Sequence, residues 1–204
     1  MKLYRGYGVL KRLKTGTKLH IFLTFKCTLK CSYCANEFYH NSKPKSKTLT
    51  PDEWMDLIES FPVKIREVTL TGGEPMLYKG FSELVNKILA TGRFVKVITN
   101  LTLDNGLAVN SSYRVRYWAT YHGSEASLIV PHQLSWIQRL EEYREKFRVD
   151  VVELETNYIK GSIRKKIFNT EIEWDACIDH KYLIYAPDGS FYLTTREMYN
   201  EHIR

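Results

Sequence analysis

Three cysteines lie in one short stretch of the chain, at Cys27, Cys31 and Cys34, with the spacing C-x3-C-x2-C. They come directly after an apolar, strand-like run at residues 19–25. Thiolates are soft ligands, so three of them this close together predict a metal or iron–sulfur site. Because no fourth cysteine lies nearby in the sequence, such a site keeps one coordination position for a small molecule.

Structural zinc and disulfides are the ordinary alternatives for these thiols. The three cysteines and His40 could make a Cys3His zinc site, although zinc ligands usually come as separated pairs. Disulfides explain the pattern less well. The chain has four cysteines in 204 residues, three of them crowded together, which does not resemble the disulfide framework of a secreted protein. A non-catalytic zinc or iron–sulfur protein therefore stays open as an alternative of a different class.

A second motif, Thr71-Gly72-Gly73-Glu74-Pro75, follows another strand-like run. Its glycines let the backbone approach a ligand closely, and structural zinc gives no reason for them. With this motif, and with the aromatic Tyr33 before Cys34, the chain resembles the radical S-adenosylmethionine (radical SAM) superfamily over residues 18–157. The resemblance implies an enzyme.

That resemblance implies a [4Fe–4S] cluster whose fourth iron binds the amino and carboxylate groups of S-adenosylmethionine (SAM). The three cysteines would hold the other irons. The residues implied to contact the cofactors, mostly through backbone at the glycine motif, are Tyr33, Gly72, Gly73, Glu74 and Pro75. Reductive cleavage of SAM, with an electron from a donor such as flavodoxin or ferredoxin, would give a 5′-deoxyadenosyl radical that abstracts hydrogen from the substrate.

The sequence patterns predict alternating strands and helices. Thr50-Pro51-Asp52-Glu53 has the form of a capping box, and a helical apolar stripe follows it up to Pro62. Further strands are predicted at residues 67–71, 94–99, 115–121 and 149–154, with helices at 81–89 and 132–147. Residues 104–112 are too short and too rich in asparagine and glycine for a full helix. Repeated βαβ units imply parallel strands.

The predicted fold is an α/β partial open parallel (β/α) barrel of about five to six strands with a C-terminal antiparallel hairpin. Pro187-Asp188-Gly189 supplies the hairpin turn. We expect a lead-in segment at residues 1–18, the core at 19–160, and a basic segment with the hairpin at 161–204, all within one domain.

In parallel α/β barrels, reactive groups gather at the carboxyl ends of the strands. Residues at those ends are candidates to hydrogen-bond the ribose and carboxylate of SAM, with strand-capping roles equally open. They are Asn100, Thr120, His122, Glu155 and Asn157. His122 could instead serve as an acid or base toward the substrate. Arg164 and Arg196 are candidate carboxylate clamps, with solvent exposure as the alternative.

Cys177, an apolar strand and the Pro-Asp-Gly turn are similar to the SPASM or twitch extensions of peptide-modifying radical SAM enzymes. Those extensions hold auxiliary clusters through several cysteines, whereas Cys177 stands alone here. One thiolate cannot hold a cluster, so a single cluster is predicted, with Cys177 a small core residue or a thiol without a ligand role.

The net charge of +7 favours an acidic partner. The hairpin tilts the expected substrate slightly toward a peptide or protein, and the charge tilts it toward a nucleotide, a nucleic-acid base or another anion. Activation of a glycyl-radical partner enzyme is also compatible. No secretory signal or membrane-spanning run is evident, so a reducing cytoplasm is the expected location.

Overall fold

The computed structural model describes residues 18–31, 48–61, 64–122, 133–154, 164–167, 170–173 and 182–192. Three α-helices are α1 (Pro51–Glu59), α2 (Phe81–Ala90) and α3 (Gln133–Lys146). Short 3₁₀ helices occupy Pro75–Leu77 and Asn105–Ala108. The strands are β1 (Lys18–Thr24), β2 (Glu67–Gly72), β3 (Phe94–Thr99), β4 (Val115–Tyr121), β5 (Arg148–Leu154), β6 (Arg164–Ile167), β7 (Thr170–Glu173), β8 (Tyr182–Tyr185) and β9 (Phe191–Tyr192).

All nine described strands form one sheet in the order β7-β6-β5-β4-β3-β2-β1-β8-β9. The six strands from β5 to β8 in that order are mutually parallel, whereas β6, β7 and β9 pair antiparallel. Both outer strands of this sheet are therefore antiparallel additions and it does not close. The predicted open parallel α/β architecture with a terminal hairpin is confirmed.

One face of the parallel sheet carries the hydrophobic core. Alternate residues of the strands, such as Ile21, Leu70 and Val97, are fully buried on this face. The helices cover it with their own apolar stripes, of which Trp54 of α1 and Phe81 of α2 are fully buried members. All three described helices pack on this one face. This packing stabilises the register of the strands, and the register determines where their carboxyl ends lie.

Local signals set the helix starts and the crossovers. Thr50 Oγ1 accepts the Glu53 amide at 3.2 Å while Glu53 Oε2 accepts the Thr50 amide at 2.7 Å, so the predicted capping box is present. The third crossover is reduced to the 3₁₀ helix Asn105–Ala108, as its composition predicted. It packs into the core through Gly106, whose carbonyl accepts the Tyr117 hydroxyl at 3.1 Å.

Two pairings were not predicted. Strand β8 lies parallel beside β1, which places Ile184 next to Phe22 in a second, smaller apolar cluster on the other face of the sheet. Strands β6 and β7 form an additional hairpin on β5. Strands β1 and β8 are distant in the sequence, whereas β5, β6 and β7 follow one another. In both cases, periodicity within one strand gives no information on its neighbour. Among the described helices, none has the length and apolar content that crossing a membrane requires.

Candidate functional site

The cysteine loop begins where β1 ends. Cys27 is partly exposed and Cys31 is buried, and a side-chain nitrogen from another segment approaches each sulfur. The Leu29 amide lies 3.4 Å and Asn100 Nδ2 lies 3.5 Å from Cys27 Sγ. His122 Nδ1 lies 3.4 Å from Cys31 Sγ. Cys34 and Tyr33 fall outside the described residues, so their predicted roles stay predictions.

The glycine motif is joined to this loop through backbone. The Gly73 amide donates to the Thr24 carbonyl and the Glu74 amide donates to the Lys26 carbonyl, both at 2.8 Å. A Cβ atom on Gly73 would lie 2.3 Å from the Lys26 oxygen. Gly72 has φ +147°, which side-chain-bearing residues rarely adopt. Glycine is therefore required for the two loops to approach this closely.

The Glu74 carboxylate points into the protein and is fully buried. It accepts the Thr99 hydroxyl at 2.9 Å, the Asn100 amide at 2.8 Å and the Met76 amide at 3.0 Å. Burial raises the pKa of Glu74 to about 7, and these donors offset part of that effect. The carboxylate thus ties the end of β3 to the glycine motif, and Gly72 and Gly73 can meet a ligand only through their backbone.

Asn100 links four segments at the end of β3. Its amide N–H donates to Glu74, and its carbonyl accepts Trp136 Nε1 of α3 at 2.9 Å. Its side-chain oxygen accepts both the amide (3.0 Å) and the hydroxyl (2.7 Å) of Thr102. Its Nδ2 donates to Thr28 Oγ1 at 3.0 Å and faces Cys27. The hydrogen-bonding groups of Asn100 are thus turned toward the protein and the cysteine loop.

The turn after β3 has an unusual backbone. Leu101 has φ +57°, in the left-handed region that few leucines occupy, and its side chain is fully buried. Thr99 Oγ1 accepts the Leu101 amide at 2.9 Å, and Arg139 of α3 donates to the Leu101 carbonyl at 3.1 Å. These contacts hold the chain in a conformation it would otherwise leave, and so they fix the position of Asn100.

The structure describes only some of the remaining predicted site residues. Thr120 is buried at the end of β4, two residues before His122, which faces the cysteine loop. Glu155 and Asn157 lie outside the described residues, as do Arg196 and Cys177, and the side chain of Arg164 in β6 is not described. The structure therefore brings Asn100, His122 and the glycine motif to one edge together with Cys27 and Cys31.

Sequence reasoning missed the hydroxyls of Thr28 and Thr102, which lie 2.6 Å apart between the cysteine loop and the turn after β3. A signal was available, because both residues lie within four positions of the ends of β1 and β3, whose carboxyl ends were expected to meet. Trp136 was missed because it contacts the site through its indole N–H from α3, and its helical spacing matches that of an ordinary core residue.

The site fits an iron–sulfur cluster by the chemistry of its donors. Two thiols from one loop face N–H groups, and hydrogen bonds from N–H groups to sulfur are typical of iron–sulfur ligation. Cys27, Cys31 and Cys34 would hold the irons. The edge therefore defines a class of protein, an open parallel α/β fold with a three-cysteine loop at the carboxyl end of its first core strand.

Comparison with known families agrees with this class. The family model described as the Radical SAM superfamily matches residues 21–117, which contain both motifs. This matched segment is a radical SAM domain, and members of that superfamily use a [4Fe–4S] cluster and SAM. The resemblance stated from the sequence is confirmed.

Curated relatives cover the same core. The chain is 34% identical over 92 residues to 7-carboxy-7-deazaguanine synthase from Rhodopirellula baltica, a match covering 45% of the chain and 35% of the relative. It is 40% identical over 75 residues to GTP 3′,8-cyclase from Clostridium perfringens, covering 34% and 22%. The chain thus matches about a third or less of the length of these relatives.

Solved structures share the fold. SuiB from Streptococcus suis bound to S-adenosylmethionine has a TM-score of 0.56 at 14% identity, covering 92% of this chain and 63% of SuiB. SuiB bound to precursor peptide SuiA has a TM-score of 0.51 at 18% identity, covering 96% and 48%. At these identities the likeness concerns the fold.

Proposed function

We propose that the protein is a radical SAM enzyme that acts on a nucleotide, a nucleobase or a similar anionic compound. The observation that carries the enzyme proposal is the junction of the cysteine loop with Gly73 and Glu74 through two 2.8 Å backbone hydrogen bonds. This junction joins the expected cluster ligands to the expected SAM contacts, as a shared site for the two cofactors requires.

The chain's own groups have distinct tasks in this proposal. Cys27, Cys31 and Cys34 would hold three irons, which leaves the fourth for SAM. The amides of Gly73 and Glu74 are used within the protein, so carbonyl oxygens are what the motif offers to the ammonium group of methionine. When bound, the cluster would supply the electron for reductive cleavage of SAM, and hydrogen abstraction from the substrate would follow.

The face of the sheet opposite the core supports an anionic substrate. Lys96 lies in register with Thr69 on one side and with Arg116 on the other, so these side chains share that face. The Lys96 ammonium is 3.0 Å and the Arg116 guanidinium carbon 5.6 Å from the centre of the Trp118 ring. Arg116 also pairs with the Asp150 carboxylate on this face, so an acid balances part of its charge. Basic groups beside an aromatic ring are chemistry that can recognise a base and its phosphates.

Basic groups on this face also act on β1, where Lys18 pairs with Glu67 at 3.2 Å. Burial, and then the charges of Lys96 and Lys18, lower the pKa of His20 to about 4, so the imidazole stays neutral near pH 7. The two curated relatives, a synthase of 7-carboxy-7-deazaguanine and a cyclase of GTP, support the same substrate class. They displace the sequence-based preference for a peptide.

Anaerobic reconstitution with iron and sulfide tests the enzyme proposal. The reduced protein should convert SAM to 5′-deoxyadenosine, detected by mass spectrometry, and Cys31→Ala should lose both the iron and the product. GTP should accelerate product formation, and deuterium placed on the ribose or base should appear in 5′-deoxyadenosine. Zinc at the thiols, or a full cluster that never cleaves SAM, would refute the enzyme proposal.

A peptide substrate is the second candidate. The hairpin of β8 and β9 turns at Pro187-Asp188-Gly189, where the Gly189 amide donates to Ala186 at 2.9 Å, and SuiB, which shares the fold, is known with a precursor peptide. Cleavage of SAM that a panel of nucleotides leaves unchanged, but that a peptide accelerates with deuterium transfer, would favour this candidate over the first.

A further inference from the structure

Two polar side chains from β3 and β4 converge on the sulfurs of the cysteine loop. Asn100 follows β3 and His122 follows β4, and each directs a side-chain nitrogen at one thiol. The distances are 3.5 Å to Cys27 Sγ and 3.4 Å to Cys31 Sγ. Both lie within the range of hydrogen bonds to sulfur, which is larger than oxygen.

The orientation of the Asn100 amide follows from its neighbours. Asn100 Oδ1 accepts the Thr102 amide and hydroxyl, so the oxygen points at Thr102 and Nδ2 points at the loop. Because the Thr102 hydroxyl donates to Asn100, the Thr28 hydroxyl must donate across their 2.6 Å contact. Thr28 Oγ1 can then accept from Asn100 Nδ2, and the second hydrogen of Nδ2 is directed toward Cys27.

The donor at His122 follows from the chemistry of sulfur. A cysteine that binds iron does so as a thiolate, which has no proton and can only accept a hydrogen bond. His122 Nδ1 therefore has to carry the hydrogen in its contact with Cys31. The two side chains act from separate strands on separate thiols, so each contact can be removed without the other.

We infer that Asn100 and His122 are positioning residues that donate N–H groups to the Cys27 and Cys31 thiolates and thereby raise the reduction potential of the cluster. The inference rests on the proposed function, because it needs the cluster. Its physical basis is that the reduced cluster carries one more negative charge than the oxidised cluster. A donor at sulfur stabilises that state more.

A redox titration of the anaerobically reconstituted full chain, followed by electron paramagnetic resonance, tests this role. His122→Phe keeps a ring and removes the donor. Its ratio of reduced to oxidised cluster at a fixed potential should fall about tenfold, which is a midpoint about 59 mV more negative for one electron. His122→Asn retains an N–H at the δ position and should recover most of that shift. Tyr121→Phe, one residue earlier and facing the core, should leave the midpoint unchanged.

The outcomes separate the two proposals. A His122→Phe protein that holds a full cluster with the wild-type midpoint would overturn the inference and leave the proposed function standing. If His122→Phe takes up no cluster, Asn100→Leu decides, because leucine is similar in size, adds no charge and loses the donor toward Cys27. An unchanged midpoint there would overturn the inference as well. A wild-type chain that binds no iron–sulfur cluster would overturn both proposals.

Discussion

Glu74→Gln should change how the stability of the protein depends on pH. The carboxyl group is fully buried, and burial raises its pKa from 4.5 to about 7. Since one pKa unit corresponds to about 1.4 kcal/mol, the difference amounts to about 3 kcal/mol of unfolding free energy. This contribution is fully present below pH 4.5 and is lost as the pH rises through about 7, because only the unfolded chain gives up the proton readily in that window.

Glutamine removes this titration and adds a cost of its own. Its amide nitrogen would face the hydrogens of Thr99, Asn100 or Met76, all of which now donate to Glu74. One mismatched donor costs about 1–3 kcal/mol at every pH. The variant should therefore be less stable than the wild type near pH 5, and the gap should shrink by about 3 kcal/mol toward pH 8.

Urea unfolding at a series of pH values, followed by tryptophan fluorescence, measures both quantities. Glu59→Gln is the matched control, because it makes the same chemical change at an exposed position near the end of α1. A gap between the wild type and Glu74→Gln that stays level from about pH 5 to pH 8 would refute the assignment of a raised pKa to Glu74.

Three further substitutions have defined outcomes. Gly73→Ala puts a Cβ atom 2.3 Å from the Lys26 carbonyl oxygen and should lower iron content per chain sharply, whereas Gly92→Ala, with open space around it, should cost about 1 kcal/mol and keep the iron. Thr50→Ala removes the capping box and should lower the unfolding free energy by about 1 kcal/mol in urea without changing cluster content. Cys177→Ala should retain the full absorbance and paramagnetic signal of one cluster, and loss of that signal would contradict the single-cluster prediction.

Much of the fold could be predicted because it depends on local patterns. The capping box at Thr50, the apolar stripes of α1 and α2, and the alternation in β1 to β4 each lie within a few adjacent turns or pleats of chain. The parallel order of those strands then follows from the helical crossovers. The partnership of β8 with β1 depends on two segments more than 150 residues apart, and no pattern within either segment specifies the other.

At the site, the types and positions of the residues could be predicted from the sequence, but the orientations of their side chains could not. The motifs identified Cys27, Cys31 and Glu74. The structure shows that the Glu74 carboxylate turns inward to Thr99 and that Asn100 turns its amide toward sulfur. Which way a short polar side chain points depends on competing partners from other strands, and such competition leaves no spacing to recognise in sequence.

The hydrogen bonds of Asn100 affect how the carboxyl-end edge of the sheet unfolds. Its backbone and side chain join the glycine motif, the cysteine loop, the turn after β3 and helix α3, so none of these can open without straining the other three. Amide hydrogens at Glu74, Leu101 and Thr102 should accordingly exchange with deuterium at one common rate. The region would unfold cooperatively. Oxidation of the thiols by air would therefore also speed amide exchange in α3.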